Sequence, residues 1–227
     1  KVAGETIEQL YKDDPTHYAD LAYHYEKAEI INKTKEYFEK AGDYFKENYK
    51  NEEAMEMYDN LLNHSITEEK RINIFYKKAE IYKLIGEWSK SIDILENGID
   101  ISKKIENIQQ ESQLKSLLAD LLENKGDYDK SLELSKSAKI LSEKCDDKKT
   151  YANSLNNIGV VYDDKGSYDE AFSYYEKSLT IREEIDDKRG ISDSLNNIGI
   201  LYLNKGSYDK TIEYFKKSLT IREEIGD

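Results

Sequence analysis

The turn Gly166-Ser167-Tyr168-Asp169 recurs along the chain as Gly86-Glu87-Trp88, Gly126-Asp127-Tyr128 and Gly206-Ser207-Tyr208, each copy 40 residues after the one before. A fixed period of that length predicts one supersecondary unit stacked again and again, each unit burying its face only against its neighbours. Glycine enters the left-handed conformation without a Cβ clash, so Gly166 is read as closing one helix. Ser167 is read as capping the next, with Glu170 three residues on completing a capping box. Tyr168 is placed to plug the corner between the two helices, and Trp88 takes that place in the first copy.

The apolar spacing on both sides of the turn is helical. Leu155, Ile158, Gly159 and Tyr162 precede it three and four apart, and Ala171, Tyr175, Ser178 and Leu179 follow in the same rhythm. Small residues at Gly159 and Ala171 let two helices approach, with Tyr162 and Tyr175 filling the space around the contact. On this register Tyr162→Ala is expected to cost about 3–5 kcal/mol.

The order Leu155, Ile158, Gly159, Tyr162, Gly166, Tyr168, Ala171, Tyr175, Leu179 resembles the tetratricopeptide repeat. Leu195, Ile198, Gly199, Tyr202, Gly206, Tyr208, Thr211, Phe215 and Leu219 repeat it, with looser copies around Gly126 and Gly86. The resemblance implies an all-α fold, a right-handed α-α superhelix of eleven or twelve antiparallel helices. The 40-residue spacing is similar to the long-helix repeats of kinesin light chains, Pins-type scaffolds and bacterial signalling arrays. The phrases SLNNIG and KSLTIREEI, each present twice, resemble the bacterial arrays in particular.

Composition agrees with one continuous solenoid. Charged residues make up 36% of the 227 and there is one proline, which suits long solvated helices joined by short turns. No apolar run approaches the roughly 18 residues needed to span a membrane, so no membrane partner is expected. The single cysteine, Cys145, excludes an internal disulfide framework and fits a reducing, cytoplasmic compartment. A net charge of −13 argues against nucleic acid as a partner. The chain starts at Lys1 and stops at Asp227 just after a second helix, which reads as a piece of something larger.

From the N-terminus, residues 1–12 carry a short amphipathic pattern, and Asp13-Asp14-Pro15 is set to start a helix over 16–30. Further helices are expected at 33–49 and 51–63. From Thr67 the array is regular, at 67–85, 88–105, 108–125, 128–145, 148–165, 168–185, 188–205 and 208–225. Residues 1–66 therefore form a degenerate N-terminal region and 67–227 the regular array. KVAGETIEQLY, LAYHYEKA and EYFEKAGDYF resemble repeats that follow the ATPase module of bacterial signalling ATPases and cyclases. Three helices between Pro15 and Thr67 break the pairing, so irregularity is expected around 49–67. Residues 151–187 and 191–227 are identical at 23 of 37 positions, the mark of a recent duplication.

The resemblance implies that the first helix of each pair lines a concave groove. The exposed positions there are Asn73, Tyr76, Lys77, Glu80 and Lys83 in one repeat, and Gln113, Ser116, Asp120 and Glu123 in the next. Asn153, Asn156, Asn157, Val160, Asp163 and Asp164 follow, then Asp193, Asn196, Asn197, Ile200, Leu203 and Asn204. Asparagine costs propensity in mid-helix, yet its amide both donates to and accepts from an extended backbone. Asn156-Asn157 and Asn196-Asn197 are thus either a ladder for a bound peptide or solvated surface copied by duplication. The six acids against two lysines in this set point to a basic or amphipathic protein segment as partner. They argue against the acidic chaperone tails gripped by carboxylate-clamp repeats, which need a basic groove.

Nothing in the sequence builds a catalytic, metal or cofactor site. His17, His24 and His64 lack a third ligand at metal spacing, and Glu183-Glu184 reads as a solvated face. The expected function is a non-catalytic interaction scaffold within a larger signalling protein, with no cofactor. The rivals are a spacer that self-associates through its C-terminal helix and, further off, an RNA-reading repeat or an enzyme.

Overall fold

The computed structural model describes residues 2–11 and 14–226, and Asp13, one of the expected cap residues, lies outside them. Among the described residues there are twelve α-helices, one 3-10 turn and no strand. They are α1 (Val2–Tyr11), α2 (Tyr18–Lys27), α3 (Ile31–Glu47), α4 (Asn51–Leu62), α5 (Glu68–Leu84) and α6 (Trp88–Lys104). The second half holds α7 (Ile108–Asn124), α8 (Tyr128–Lys144), α9 (Lys148–Asp164), α10 (Tyr168–Glu184), α11 (Lys188–Asn204) and α12 (Tyr208–Ile225). Two compact units divide at Ile94–Leu95. The helix expected over 16–30 splits into the 3-10 turn Pro15–His17, capped by the Asp14 carboxylate on the Thr16 amide at 3.0 Å, and α2.

The glycine turns close their helices as the sequence predicts. Gly86, Gly126, Gly166 and Gly206 have φ between +72° and +81°. At the third of them the Ser167 amide donates to the Tyr162 carbonyl at 2.8 Å and the Gly166 amide to Asp163 at 2.8 Å, the paired bonds of a Schellman turn. The capping box is a correction: neither Ser167 nor Ser207 makes a side-chain cap bond. Their ψ of 68° and 70° is far from the 158° of Thr67, whose hydroxyl does cap its helix. At such a ψ a serine hydroxyl falls short, whereas a carboxylate one bond longer reaches. Asp147 accepts from the Thr150 amide at 3.0 Å and Asp187 from Gly190 at 3.1 Å.

Those aspartates belong to a second family of turns without glycine. Glu106, Asp146 and Asp186 stand at φ of +57°, +55° and +53°, and Glu29 and Tyr49 at +57°. The same bond pattern closes them, for example from the Asp187 amide to the Arg182 carbonyl at 2.9 Å. A side chain in this conformation costs about 1–2 kcal/mol. The linker at 63–67 departs from the pattern, within the stretch where irregularity is expected.

Helix pairs are seated on a repeated glycine contact. A Cβ on Gly159 would stand 2.7 Å from the Tyr175 ring, and one on Gly199 2.6 Å from Phe215. Gly42 meets Tyr58 in the same way at the same separation in sequence. That contact identifies α3 and α4 as a pair equivalent to α9 and α10, so the broken phase reduces to a glycine-free turn at Tyr49 and the irregular linker that follows α4. Tyr58 and Tyr175 are buried. Tyr162 is not a core residue as expected but half-buried, its ring stacked on Tyr174 at 5.6 Å. The corner position is equally uneven: Tyr168 packs into the apolar cluster, whereas Trp88 and Tyr208 are exposed.

Candidate peptide-binding face

In the unit 95–227 the helices α7, α9 and α11 are neighbours, and their side chains bond across from one helix to the next. Asn157 Nδ2 donates to the Ser116 carbonyl at 2.9 Å, Asn197 Nδ2 to Asn156 Oδ1 at 3.0 Å, and Asn204 Nδ2 to Asp163 Oδ1 at 3.1 Å. The second asparagine of each pair is therefore structural. The first keeps its amide nitrogen open: among the described residues Asn196 makes no side-chain hydrogen bond, and Asn156, whose Oδ1 accepts from Asn197, donates through its nitrogen to none. Both are half-buried. Helical spacing of four places Val160 beside Asn156 and Ile200 beside Asn196, with Leu203 one turn further. Ile200 and Leu203 are 39% and 45% exposed, so polar amides and apolar surface stand side by side.

Other expected site residues are committed elsewhere. Asn153 Oδ1 accepts from Arg182 at 2.8 Å, and Asp193 Oδ1 from Arg222 at 2.9 Å. Arg182, which the sequence reading did not single out, is 4% exposed, and its Nη1 also donates to the Gly190 carbonyl and to Ser194 Oγ. Its packing needs the glycine, since a Cβ at Gly190 would stand 2.9 Å from Arg182 Cδ. Burial pulls the Arg182 pKa down and pushes that of Asp193 up, and each charge partly offsets the other's loss of solvent. Asp163 is likewise buried with its pKa raised, chiefly by burial and against the Asn204 bond, while Asp164 is exposed. Gln113 donates to Asp147 at 2.9 Å, Ser116 is buried, and Asp120 and Glu123 are half-buried beside Asn124.

The corresponding face of the unit 1–94 is ionic. Lys77 Nζ lies 2.6 and 2.8 Å from the Asp43 carboxylate, which also accepts from Tyr58, and Lys46 lies 2.7 Å from Glu80. Lys70 pairs with Glu39. Tyr76 and Lys83 are half-buried and Asn73 is exposed. Among the described residues no group of three His, Cys, Asp or Glu could hold a metal ion, and no helix is long and apolar enough to cross a membrane.

Two family signatures, both described as tetratricopeptide repeat, match residues 110–184 and 192–224. No curated protein matches the chain in sequence. Among solved structures, a Rap protein complexed with competence and sporulation factor is similar over 96% of this chain and 62% of its own, at 21% identity and a TM-score of 0.78. The Rap conjugation gene regulator of plasmid pLS20, in complex with the Phr* peptide, is similar over 89% of this chain and 57% of its own, at 19% and 0.77. BtubC (BKLC) from P. vanneervenii matches over 100% and 93%, at 19% and 0.69. At these identities the likeness is one of fold, and the chain spans about three fifths of each Rap protein. The paired helices on glycine contacts, the turns at a 40-residue interval and both signatures make the chain a tetratricopeptide-repeat protein.

Proposed function

We propose that the chain is a non-catalytic interaction scaffold whose α7–α9–α11 face binds an extended segment of a partner protein, as part of a larger bacterial signalling protein in the cytoplasm. The observation that carries this reading is the open amide nitrogen of Asn156, whose oxygen accepts from Asn197, and the open amide of Asn196, beside Val160, Ile200 and Leu203. A side-chain amide answers the backbone of any extended peptide, and the apolar neighbours take alternate side chains. The exposed Asp164 and the half-buried Asp120 and Glu123 favour a basic or amphipathic segment. Two of the similar structures, both Rap proteins, hold a factor or peptide, which supports the same kind of ligand here.

A displayed library of random twelve-residue peptides, selected on the full chain, tests this. Selected peptides should lose about tenfold or more in affinity for an Asn156→Ala/Asn196→Ala variant, the loss of one to two hydrogen bonds. Undiminished binding would refute the assignment of the face.

One observation favours a second reading, self-association through α12. Its Tyr208, Ile212 and Leu219 are 67%, 53% and 56% exposed, whereas the equivalent Tyr168, Phe172 and Leu179 of α10 pack into a cluster with Ile198 and Leu201 of α11. Sedimentation showing a dimer that Ile212→Asp/Leu219→Asp disperses would support it, and a monomer at all concentrations would remove it.

A further inference from the structure

The two open asparagine amides recur at a fixed interval and offer mainly one kind of hydrogen bond. Asn156 and Asn196 hold equivalent places in α9 and α11, 40 residues apart, and Asn197 of α11 donates to Asn156 Oδ1 at 3.0 Å. With its oxygen taken, Asn156 presents two N–H groups, and Asn196 presents two more and one carbonyl. The pair of amides is rich in donors and suits a chain with open carbonyls.

Each amide has an apolar neighbour one turn further along its helix, Val160 and Ile200. Neighbouring helices pack with axes ~8–10 Å apart, so amide and apolar side chain return at about that interval. A polyproline II helix rises ~3.1 Å per residue with three residues per turn, and so turns the same side to the face every ~9 Å. A β-strand does so every ~6.5–7 Å, and its N–H groups would meet donors. An α-helix has its carbonyls bonded internally. Of the three regular backbones, the polyproline II form alone matches both the interval and the donors.

The charge beside these positions is negative. Asp164, two turns beyond Asn156 on α9, is exposed and makes no side-chain hydrogen bond or ion pair among the described residues. The next residue, Lys165, is committed to Asp129 at 2.8 Å and does not neutralise it. A basic side chain flanking the Val160 position complements this carboxylate.

We propose that the segment taken up by α9 and α11 is a proline-rich, basic polyproline II helix with an apolar residue at every third position. Its carbonyls accept from Asn156 and Asn196, its apolar residues meet Val160 and Ile200, and a lysine or arginine between them pairs with Asp164. This rests on the α7–α9–α11 binding face and narrows its ligand, since the side chains turned to the face are every third rather than every second.

The probe is a fluorescent ten-residue peptide of prolines, with leucine at every third position and two arginines between the leucines, titrated into the full chain. A control peptide has the same composition with leucine at every second position. The probe should bind about tenfold or more tighter than the control, and should lose about tenfold or more on Asn156→Ala/Asn196→Ala. Asp164→Asn should weaken it about threefold, while a probe with glutamine in place of arginine is indifferent to that change. Circular dichroism checks that the variants keep the helices and melting temperature of the parent. Equal binding of probe and control, or no binding of the probe, would overturn the polyproline II assignment. If that equal binding still falls on Asn156→Ala/Asn196→Ala, the binding face stands without it. Probe binding indifferent to the asparagine variant would remove the face and the ligand class together.

Discussion

The first helices of the repeats are joined by charges in one unit and by amides in the other. In residues 1–94 the links are Lys77 with Asp43, Lys46 with Glu80 and Lys70 with Glu39. In residues 95–227 they are Asn157 with the Ser116 carbonyl, Asn197 with Asn156, and Asn204 with Asp163. An ionic ladder satisfies itself and offers a partner little that is unpaired. An amide has two donors and an acceptor, so one asparagine can hold the neighbouring helix while its neighbour in sequence stays open. For this reason the proposed binding face is placed in the second unit, although both units share the same glycine seat.

That shared seat gives the largest expected effects. Tyr175→Ala in one unit and Tyr58→Ala in the other should each cost about 3–5 kcal/mol, read from chemical denaturation. Tyr162→Ala, half-buried, should cost clearly less, and equal losses at Tyr162 and Tyr175 would break the assignment of the core. Gly159→Ala and Gly42→Ala, which press a methyl into those rings, should each cost about 1–3 kcal/mol. A neutral result at Gly42 alone would mean that α3 and α4 are not a pair of the same kind.

Asp186→Gly sharpens the comparison of the two turn families. Removing the side chain from a left-handed position should stabilise the chain by about 1 kcal/mol, whereas Gly166→Ala should destabilise it by a similar amount. Melting temperatures of both variants decide the point. Below that in size comes salt. Raising ionic strength from about 0.05 to about 0.5 M should erode hydrogen-exchange protection of α3 and α5 more than that of α9 and α11, because half-buried ion pairs are partly screened and amide bonds are not.

The pH response is the smallest. Burial alone would raise the pKa of Glu8, but hydrogen bonds from Lys33, Tyr25 and Tyr37 outweigh it and hold the group at about 2. A depressed carboxylate stabilises fully above the ordinary glutamate range and ceases to as pH falls through its folded value. Protection of α1 should therefore fade between pH 4.5 and about 2. Fading that is equal in a Glu8→Gln chain would assign it to other carboxylates.

Much of this was legible because the period is carried by backbone requirements. Gly166 and its copies mark turns that glycine forms cheaply, and Gly159 marks a contact that excludes any side chain. What was hidden obeyed the same geometry with other residues. Tyr49 takes a left-handed turn without glycine, so the α3–α4 pair could not be read from turn spacing. The serine caps failed because ψ near 70° puts a hydroxyl out of reach, a detail no residue type announces. Arg182 was overlooked because a charged residue late in a helix reads as solvated, and only folding shows it buried against Gly190 and Ser194. For the same reason Asn153 and Asp193 counted as groove residues, although each accepts from an arginine.

The central claim divides two adjacent asparagines by role, and nitrogen-15 spectra of side-chain amides observe that division directly. On titrating a selected peptide into the full chain, the amide signals of Asn156 and Asn196 should move and saturate together, while that of Asn157, tied to the Ser116 carbonyl, stays in place. Shifts that leave Asn156 and Asn196 untouched would contradict the account and place the ligand on another surface.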